Sequence, residues 1–342
     1  MRCTIVPPHM LERVAEVTDD PALADSARRS LALSSVQREA RLAFSATPPA
    51  PSEDFVPDRT VYDAENEETL PGEKARGEGE PATGDKIVDQ AYDWLGVTFD
   101  FFEAAYRRNS IDGAGLPLIS TVHYGRAYEN AFWDGEQMVY GDGDGTLFLA
   151  FTGPLDVTGH ELVHGVTQYT ADLVYRDQSG ALNESVSDVF GSCVKQWHLG
   201  QTADQADWLI GQGLLAEGVN GVALRSLKEP GTAYDDPRLG KDPQPGHMDD
   251  YVDTTSDNGG VHINSGIPNR AFYLAAAAIG GNSWEKAGRI WYATLTGGEI
   301  SSTVDFAGFA AATVSASTRL YGGDAAETRA VREAWSGVGV PL

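Results

Sequence analysis

Directly after Pro7-Pro8, the apolar positions Met10, Leu11, Val14 and Ala15 recur at the spacing of one helix face and predict a short helix. A weaker helical pattern follows through Leu23, Ala27, Leu31 and Ala40. Between residues 45 and 58, Pro48, Pro49, Pro51 and Pro57 stand among small and acidic residues, the composition of an exposed linker open to proteases. From Arg59 the pattern turns to alternation. It predicts a strand near Thr60 to Tyr62, a Gly- and Glu-rich loop through residue 84, and an amphipathic helix carrying Ile87, Val88, Ala91, Tyr92 and Leu95. Residues 130–133 and 136–140 flank Asp134-Gly135, a two-residue hairpin signal because Asp-Gly accepts the positive φ such turns require. Beyond Pro154 the reading is helical: 156–169, then 181–198 with Leu182, Val186, Val189, Phe190, Cys193, Val194 and Trp197 on one stripe. Further helices are predicted over 268–279, 284–295, 304–320 and 324–335, the last opened by Asp324 and Glu327 as a capping box. The expected organisation is a removable segment and linker over 1–50, a mainly β unit over 51–155 and a helical unit over 156–342. The fold class is α+β, with a cleft between the two larger units.

Charge changes the picture of what the chain meets. The formal net charge is −25, and the first 44 residues hold six Arg and six Asp or Glu, so the acidic excess lies wholly in the remainder. An acidic body repels phosphate backbones, which argues against nucleic acid and anionic membranes as partners. Two cysteines, Cys3 and Cys193, cannot build a disulfide framework. No run of about 18 apolar residues is present, and the N-terminus lacks the apolar region of a signal peptide.

The chemistry concentrates in His160-Glu161-Leu162-Val163-His164. On a helix, residues i and i+4 share a face one turn apart, so two imidazoles converge on one ion while Glu161 projects beside it. Neutral imidazoles suit zinc, and a catalytic zinc needs a third protein ligand and an open position. Twenty residues beyond His164, Glu184 and Asp188 lie one turn apart on the next helix, opposite its apolar stripe. Glu184 is read as the third ligand and Asp188 as the outer carboxylate that orients His160.

The segments 159–167 (GHELVHGVT) and 179–188 (SGALNESVSD) together resemble the thermolysin family of zinc metalloendopeptidases. Asn130-Ala131-Phe132-Trp133-Asp134-Gly135, the Tyr140-Gly141-Asp142-Gly143-Asp144-Gly145 run and residues 257–266 (DNGGVHINSG) extend the resemblance in the family's order, over residues 59–342. The first 44 residues, with Pro7-Pro8-His9-Met10-Leu11, are similar to the short propeptides of the protealysin-like branch.

The resemblance implies a two-domain enzyme with one catalytic zinc on His160, His164 and Glu184, and Glu161 as general base. It assigns Tyr175 and His262 to the tetrahedral oxyanion, with Asp257 orienting His262. Asn130 and the backbone at Ala131 would pair with an extended peptide, and Arg225 would bind a substrate carbonyl. Phe148, Phe151, Val157, Ile210 and Leu224 would line an apolar pocket for the residue after the cut, favouring large hydrophobic side chains, although from the sequence ordinary core packing is the better reading of these five. The implied partners are protein or peptide substrates and the propeptide, acting as an intramolecular inhibitor with Cys3 to Leu11 in or near the cleft. Cys3 is then either buried or near the zinc as a thiolate, and a monomer is expected. A related zinc aminopeptidase and a catalytically silent peptide-binding protein of the same fold are the alternatives. The resemblance implies an extracellular enzyme, while the missing signal peptide leaves room for a cytoplasmic pool.

The chain departs from the family at one point. Calcium-rich relatives bind a pair of calcium ions on clustered carboxylates, and such ions need several oxygen ligands. Here the matching positions include Lys195, Leu209 and Gln212, leaving only Asp156 and Asp207. The double calcium site is therefore expected to be absent, with the Lys195 ammonium reaching toward the two remaining acids.

Overall fold

The computed structural model describes residues 4–41 and 55–342, without the side chains of 35–41. The linker and Cys3 lie largely outside these residues. Pro8, pre-set for a first helical turn, opens α1 (Pro8–Val17), which buries Met10, Leu11 and Val14. A second helix, α2 (Pro21–Arg41), packs against it.

α2 docks through a stripe that hydrophobic periodicity does not reveal. Leu23 and Ala27 are buried, but Ser26, Ser30 and Ser34, one turn apart, fasten the helix to residues 127–129. Ser26 donates to the Ala127 carbonyl (2.8 Å), Ser30 accepts the Glu129 N–H (3.0 Å), and Ser34 meets the Tyr128 hydroxyl (3.2 Å).

A five-stranded sheet follows, from β1 (Arg59–Asp63), β2 (Glu73–Gly77), β3 (Leu118–Val122), β4 (Ala131–Trp133) and β5 (Met138–Tyr140), in the order β2-β1-β3-β5-β4. β1, β3 and β5 run parallel, and the two edge strands are antiparallel to their neighbours. β2 corrects the expected loop: its residues are polar, and pairing with β1 rather than apolar alternation makes it a strand. The hairpin turn falls one residue later than expected. The Asp134 N–H donates to the Gln137 carbonyl (3.0 Å), so Gly135 and Glu136 form the loop, with φ +108° at Gly135. Between β2 and β3 lies α3 (Lys86–Tyr106), capped by Asp85, which accepts the N–H groups of Ile87 and Val88.

The helical half begins with α4 (Leu155–Gln168) and α5 (Asp177–Leu199), the latter starting four residues before the expected residue 181. These two helices pack closely because glycines meet at the crossing: a Cβ on Gly191 would come 2.7 Å from the Asp156 carbonyl. Their backbones carry every residue of the metal motif. An irregular stretch then contributes the short antiparallel pair β6 (Leu209–Ile210) and β7 (Arg225–Ser226). The chain closes with α6 (Asp257–Asn264), α7 (Gly266–Ile279), α8 (Ala287–Thr296), α9 (Phe306–Tyr321) and α10 (Ala326–Gly337). The expected capping box on the last helix does not form, because its N-cap is Ala325 and Glu327 pairs with Lys286 at 2.6 Å instead.

Candidate active site

α4 presents His160, Glu161 and His164, and α5 presents Glu184 and Asp188, all fully buried. His160 Nδ1 lies 2.8 Å from Asp188 Oδ1, and His164 Nδ1 lies 2.8 Å from Asn183 Oδ1. The Asn183 amide is committed to the Leu173 carbonyl (3.0 Å), which fixes its oxygen as the acceptor. Each Nδ1 therefore carries the proton. The two Nε2 lone pairs face one another at 3.0 Å, with Glu184 oxygens 3.5 and 3.6 Å away. Three acceptors converging on one point in a buried site call for a cation, and two imidazoles with one carboxylate match zinc.

Around this centre the remaining expected residues gather. Glu161 Oε2 accepts the Trp133 N–H at 2.9 Å, which fastens the carboxylate to β4. Tyr175 donates to Glu184 Oε1 in a short hydrogen bond, and its hydroxyl lies 3.2 Å from His262 Nε2. Asp257 grips His262 twice, through Nδ1 (2.7 Å) and through the backbone N–H (2.9 Å). That double contact is possible because Asn258, Gly259 and Gly260 all take positive φ, folding Asp257 back over the helix it opens. Burial acts to lower the His262 pKa, but Asp257 and Glu184 outweigh it and raise the value. Asp188 also takes a bidentate pair from Arg225, Nε and Nη2 both at 2.8 Å, and the Asn269 amide at 2.8 Å. Burial would raise its carboxyl, but Arg225 and His160 hold it far below the usual carboxylate range.

A peptide already lies along this cleft: the chain's own Thr4 to Val6. The Ile5 N–H donates to the Ala131 carbonyl (3.1 Å), and Arg225 Nη1 donates to the Ile5 carbonyl (2.9 Å). Asn130 brackets Val6, accepting its N–H at 2.9 Å and donating to its carbonyl at 3.2 Å. The Thr4 carbonyl lies 3.1 Å from His262 Nε2. The segment thus lies along the open side of β4 in the opposite direction, joined to it by the Ile5–Ala131 backbone hydrogen bond and by the Asn130 side chain.

Of the five expected pocket residues, all are buried in the main apolar core. Val157 lies one turn before Glu161 on α4, and Leu224 precedes Arg225 on β7, bonded through its N–H to the Ile210 carbonyl (2.9 Å). Phe148 and Phe151 pack on each other with ring centroids 5.9 Å apart. Asn183 and Asn269 escaped the sequence reading; Asn183 adjoins Glu184 and its neighbourhood was a usable signal, whereas Asn269 reaches Asp188 across the fold from α7 and carries none.

At the matching point on α5, Lys195 Nζ stands 3.0 Å from Asp156, 2.9 Å from Asp207 and 3.1 Å from the Leu209 carbonyl. Burial opposes its charge, but the two carboxylates prevail and raise its pKa.

Two histidines and a glutamate on crossed helices, with a carboxylate beside them, define a metallohydrolase site. The profile of the thermolysin metallopeptidase catalytic domain matches residues 44–168, and that of its alpha-helical domain matches residues 171–340. The chain belongs to the thermolysin family and is a metalloendopeptidase. It is 53% identical over 345 residues to an extracellular metalloprotease of Pectobacterium carotovorum subsp. carotovorum, covering 99% of this chain and 97% of that protein. It is 48% identical over 345 residues to the protease PrtS of Photorhabdus sp. (strain Az29), covering 99% and 92%. Among solved structures, the precursor of protealysin from Serratia proteamaculans aligns with a TM-score of 0.91 at 53% identity, covering 99% of this chain and all of that one.

Proposed function

We propose that this chain is the latent precursor of a zinc endopeptidase that cuts proteins before large apolar residues, its removable segment ending near residue 50 and its two catalytic units meeting near residue 155. The observation that carries this reading is the pose of Thr4 to Val6, whose backbone occupies the contacts an extended substrate would need. His160, His164 and Glu184 would hold the zinc, oriented by Asp188 and Asn183. Bound there, zinc supplies Lewis acidity toward a carbonyl and toward water at neutral pH. Glu161, steadied by the Trp133 N–H, takes the proton of the attacking water and delivers it to the leaving nitrogen. His262 and Tyr175 donate to the oxygen that gains charge, and such preorganised donors contribute about 2.7–4 kcal/mol each. Asp257 keeps His262 aimed, Arg225 binds the next carbonyl, and Asn130 with Ala131 aligns the strand. Phe148, Phe151, Val157, Ile210 and Leu224 are the candidates for the pocket wall; burying a large apolar side chain there is worth about 1.5–3 kcal/mol.

Ile5 fits this reading: it is fully buried and follows the carbonyl that faces His262. Because residues stand on both sides of that position, an internal peptide bond fits the cleft, which disfavours the aminopeptidase alternative. The acids left beside Lys195 are too few for a pair of calcium ions, so zinc is proposed as the enzyme's metal without that calcium site. A monomer acting outside the cell is the proposed setting. The test is hydrolysis of N-blocked peptides by the processed enzyme, with and without a zinc chelator. Cleavage on the amino side of Leu or Phe, lost on chelation, is expected; cleavage confined to free N-termini would overturn the reading.

A further inference from the structure

The substrate-like pose fixes which peptide bond of the propeptide faces the catalytic groups. Ile5 gives its N–H to the Ala131 carbonyl, and two residues along the same strand the Trp133 N–H holds Glu161. On the other side of that bond, the Thr4 carbonyl meets His262 Nε2 at 3.1 Å, with the Tyr175 hydroxyl 3.2 Å from the same nitrogen. One peptide unit therefore has its nitrogen on the strand that anchors the proton carrier and its oxygen at His262, beside Tyr175.

We infer that the precursor cuts itself between Thr4 and Ile5, in cis and before the linker is cut, and that this cut leaves it latent; the inference rests on the protease reading above. A water oxygen bonds to the Thr4 carbonyl carbon, the bond to the Ile5 nitrogen breaks, and Glu161 passes a water proton to that nitrogen. The products are a short peptide ending in a Thr4 carboxylate and a chain beginning with an Ile5 amine. No oxidant or cofactor beyond the hydrolytic centre is consumed. Latency survives because every contact from Ile5 onward is untouched. Arg225 keeps the Ile5 carbonyl and Asn130 keeps Val6. His9 stays on Tyr234 (3.0 Å), α1 keeps its buried face, and the α2 serines keep residues 127–129. The trimmed segment is then a retained product whose new N-terminus fills the site, so the first cut would yield no active enzyme. It would also carry Cys3 away, leaving Cys193 as the single thiol of the two in the sequence.

The experiment uses the full-length precursor, purified with chelator and then supplied with zinc. Intact mass is followed with time at several protein concentrations, alongside the thiol titre under denaturing conditions. The expected result is loss of the residues before Ile5 at a rate independent of concentration, with the thiol titre of the chain separated from the released peptide falling from two to one while casein stays uncut. Ile5→Asp should abolish this loss and Ile5→Leu should keep it. In zinc-free precursor, the Ile5 and Val6 amides should be protected from hydrogen exchange, which reports the pose without turnover. Freely exchanging amides, trimming that scales with concentration, trimming that persists in Ile5→Asp, or a chain that keeps its residues before Ile5 until the linker is cut would each overturn the inference. Should the fully processed enzyme fail on casein too, the protease reading itself is what has failed.

Discussion

Replacing Asp188 by Asn separates two duties of one buried carboxylate. It holds His160 Nδ1, Arg225 Nε and Nη2 and the Asn269 amide, four contacts all at 2.8 Å, and has no exposure to solvent. The variant keeps the shape and removes the charge, so Arg225 is left buried without its counter-ion. Breaking a fully buried pair in this way costs about 3–5 kcal/mol. An exposed pair such as Arg319 with Glu299, about half in solvent on each side, sets the contrast at about 0.2–1 kcal/mol. The second duty concerns the metal: weakening the partner of a ligating histidine lowers affinity about 10–100-fold. Denaturant unfolding of the zinc-free precursor isolates the first effect, and chelator competition for zinc measures the second. A double variant, Asp188→Leu with Arg225→Met, should recover part of the stability but none of the zinc affinity, because the ion pair is gone while His160 still lacks its acceptor. If Asp188→Asn unfolds within about 1 kcal/mol of the parent and binds zinc within about threefold, both assignments fail.

Glu161→Ala should leave the zinc content unchanged by metal analysis while abolishing peptide hydrolysis, since the ligands are intact and the proton carrier is gone; activity within about tenfold of the parent would contradict its role. The melting temperature should respond to zinc and hardly to calcium, and Lys195→Ala should lower it by stranding Asp156 and Asp207 together; a steep calcium response that disappears in Asp156→Ala would refute this. Propeptide docking should weaken in acid. Burial, helped by His262 and Arg225 and opposed by Asp257, lowers His9 to about 4 from 6.5, so the docked form favours the neutral ring. That stabilisation is complete above pH 6.5 and is lost as pH falls toward 4, and His9→Phe should flatten this part of a dissociation profile measured on linker-cut precursor.

The metal motif was legible because helical periodicity is a local property: His160 and His164, then Glu184 and Asp188, share faces at one-turn spacing wherever the helices go. What stayed hidden depends on partners from elsewhere. β2 is polar and becomes a strand only through β1, and the Glu327 carboxylate chose Lys286 over the cap. The serine face of α2 docks by hydroxyls rather than apolar area, so a search for hydrophobic stripes passes over it. The cleft was anticipated as the resting place of the N-terminal segment, but its direction and register follow from individual contacts of the Asn130 and Arg225 side chains and the Ala131 carbonyl.

β4 is an edge strand, and the Ile5 N–H takes the Ala131 carbonyl on its open side. Its outward N–H groups are held within the catalytic unit, Ala131 by Asn130 Oδ1 and Trp133 by Glu161 Oε2, so removal of the segment would open the Ala131 carbonyl. An edge whose donors are capped from within can take an extended peptide through its carbonyl while offering a second sheet few groups to pair with, which guards an open cleft against strand-to-strand association.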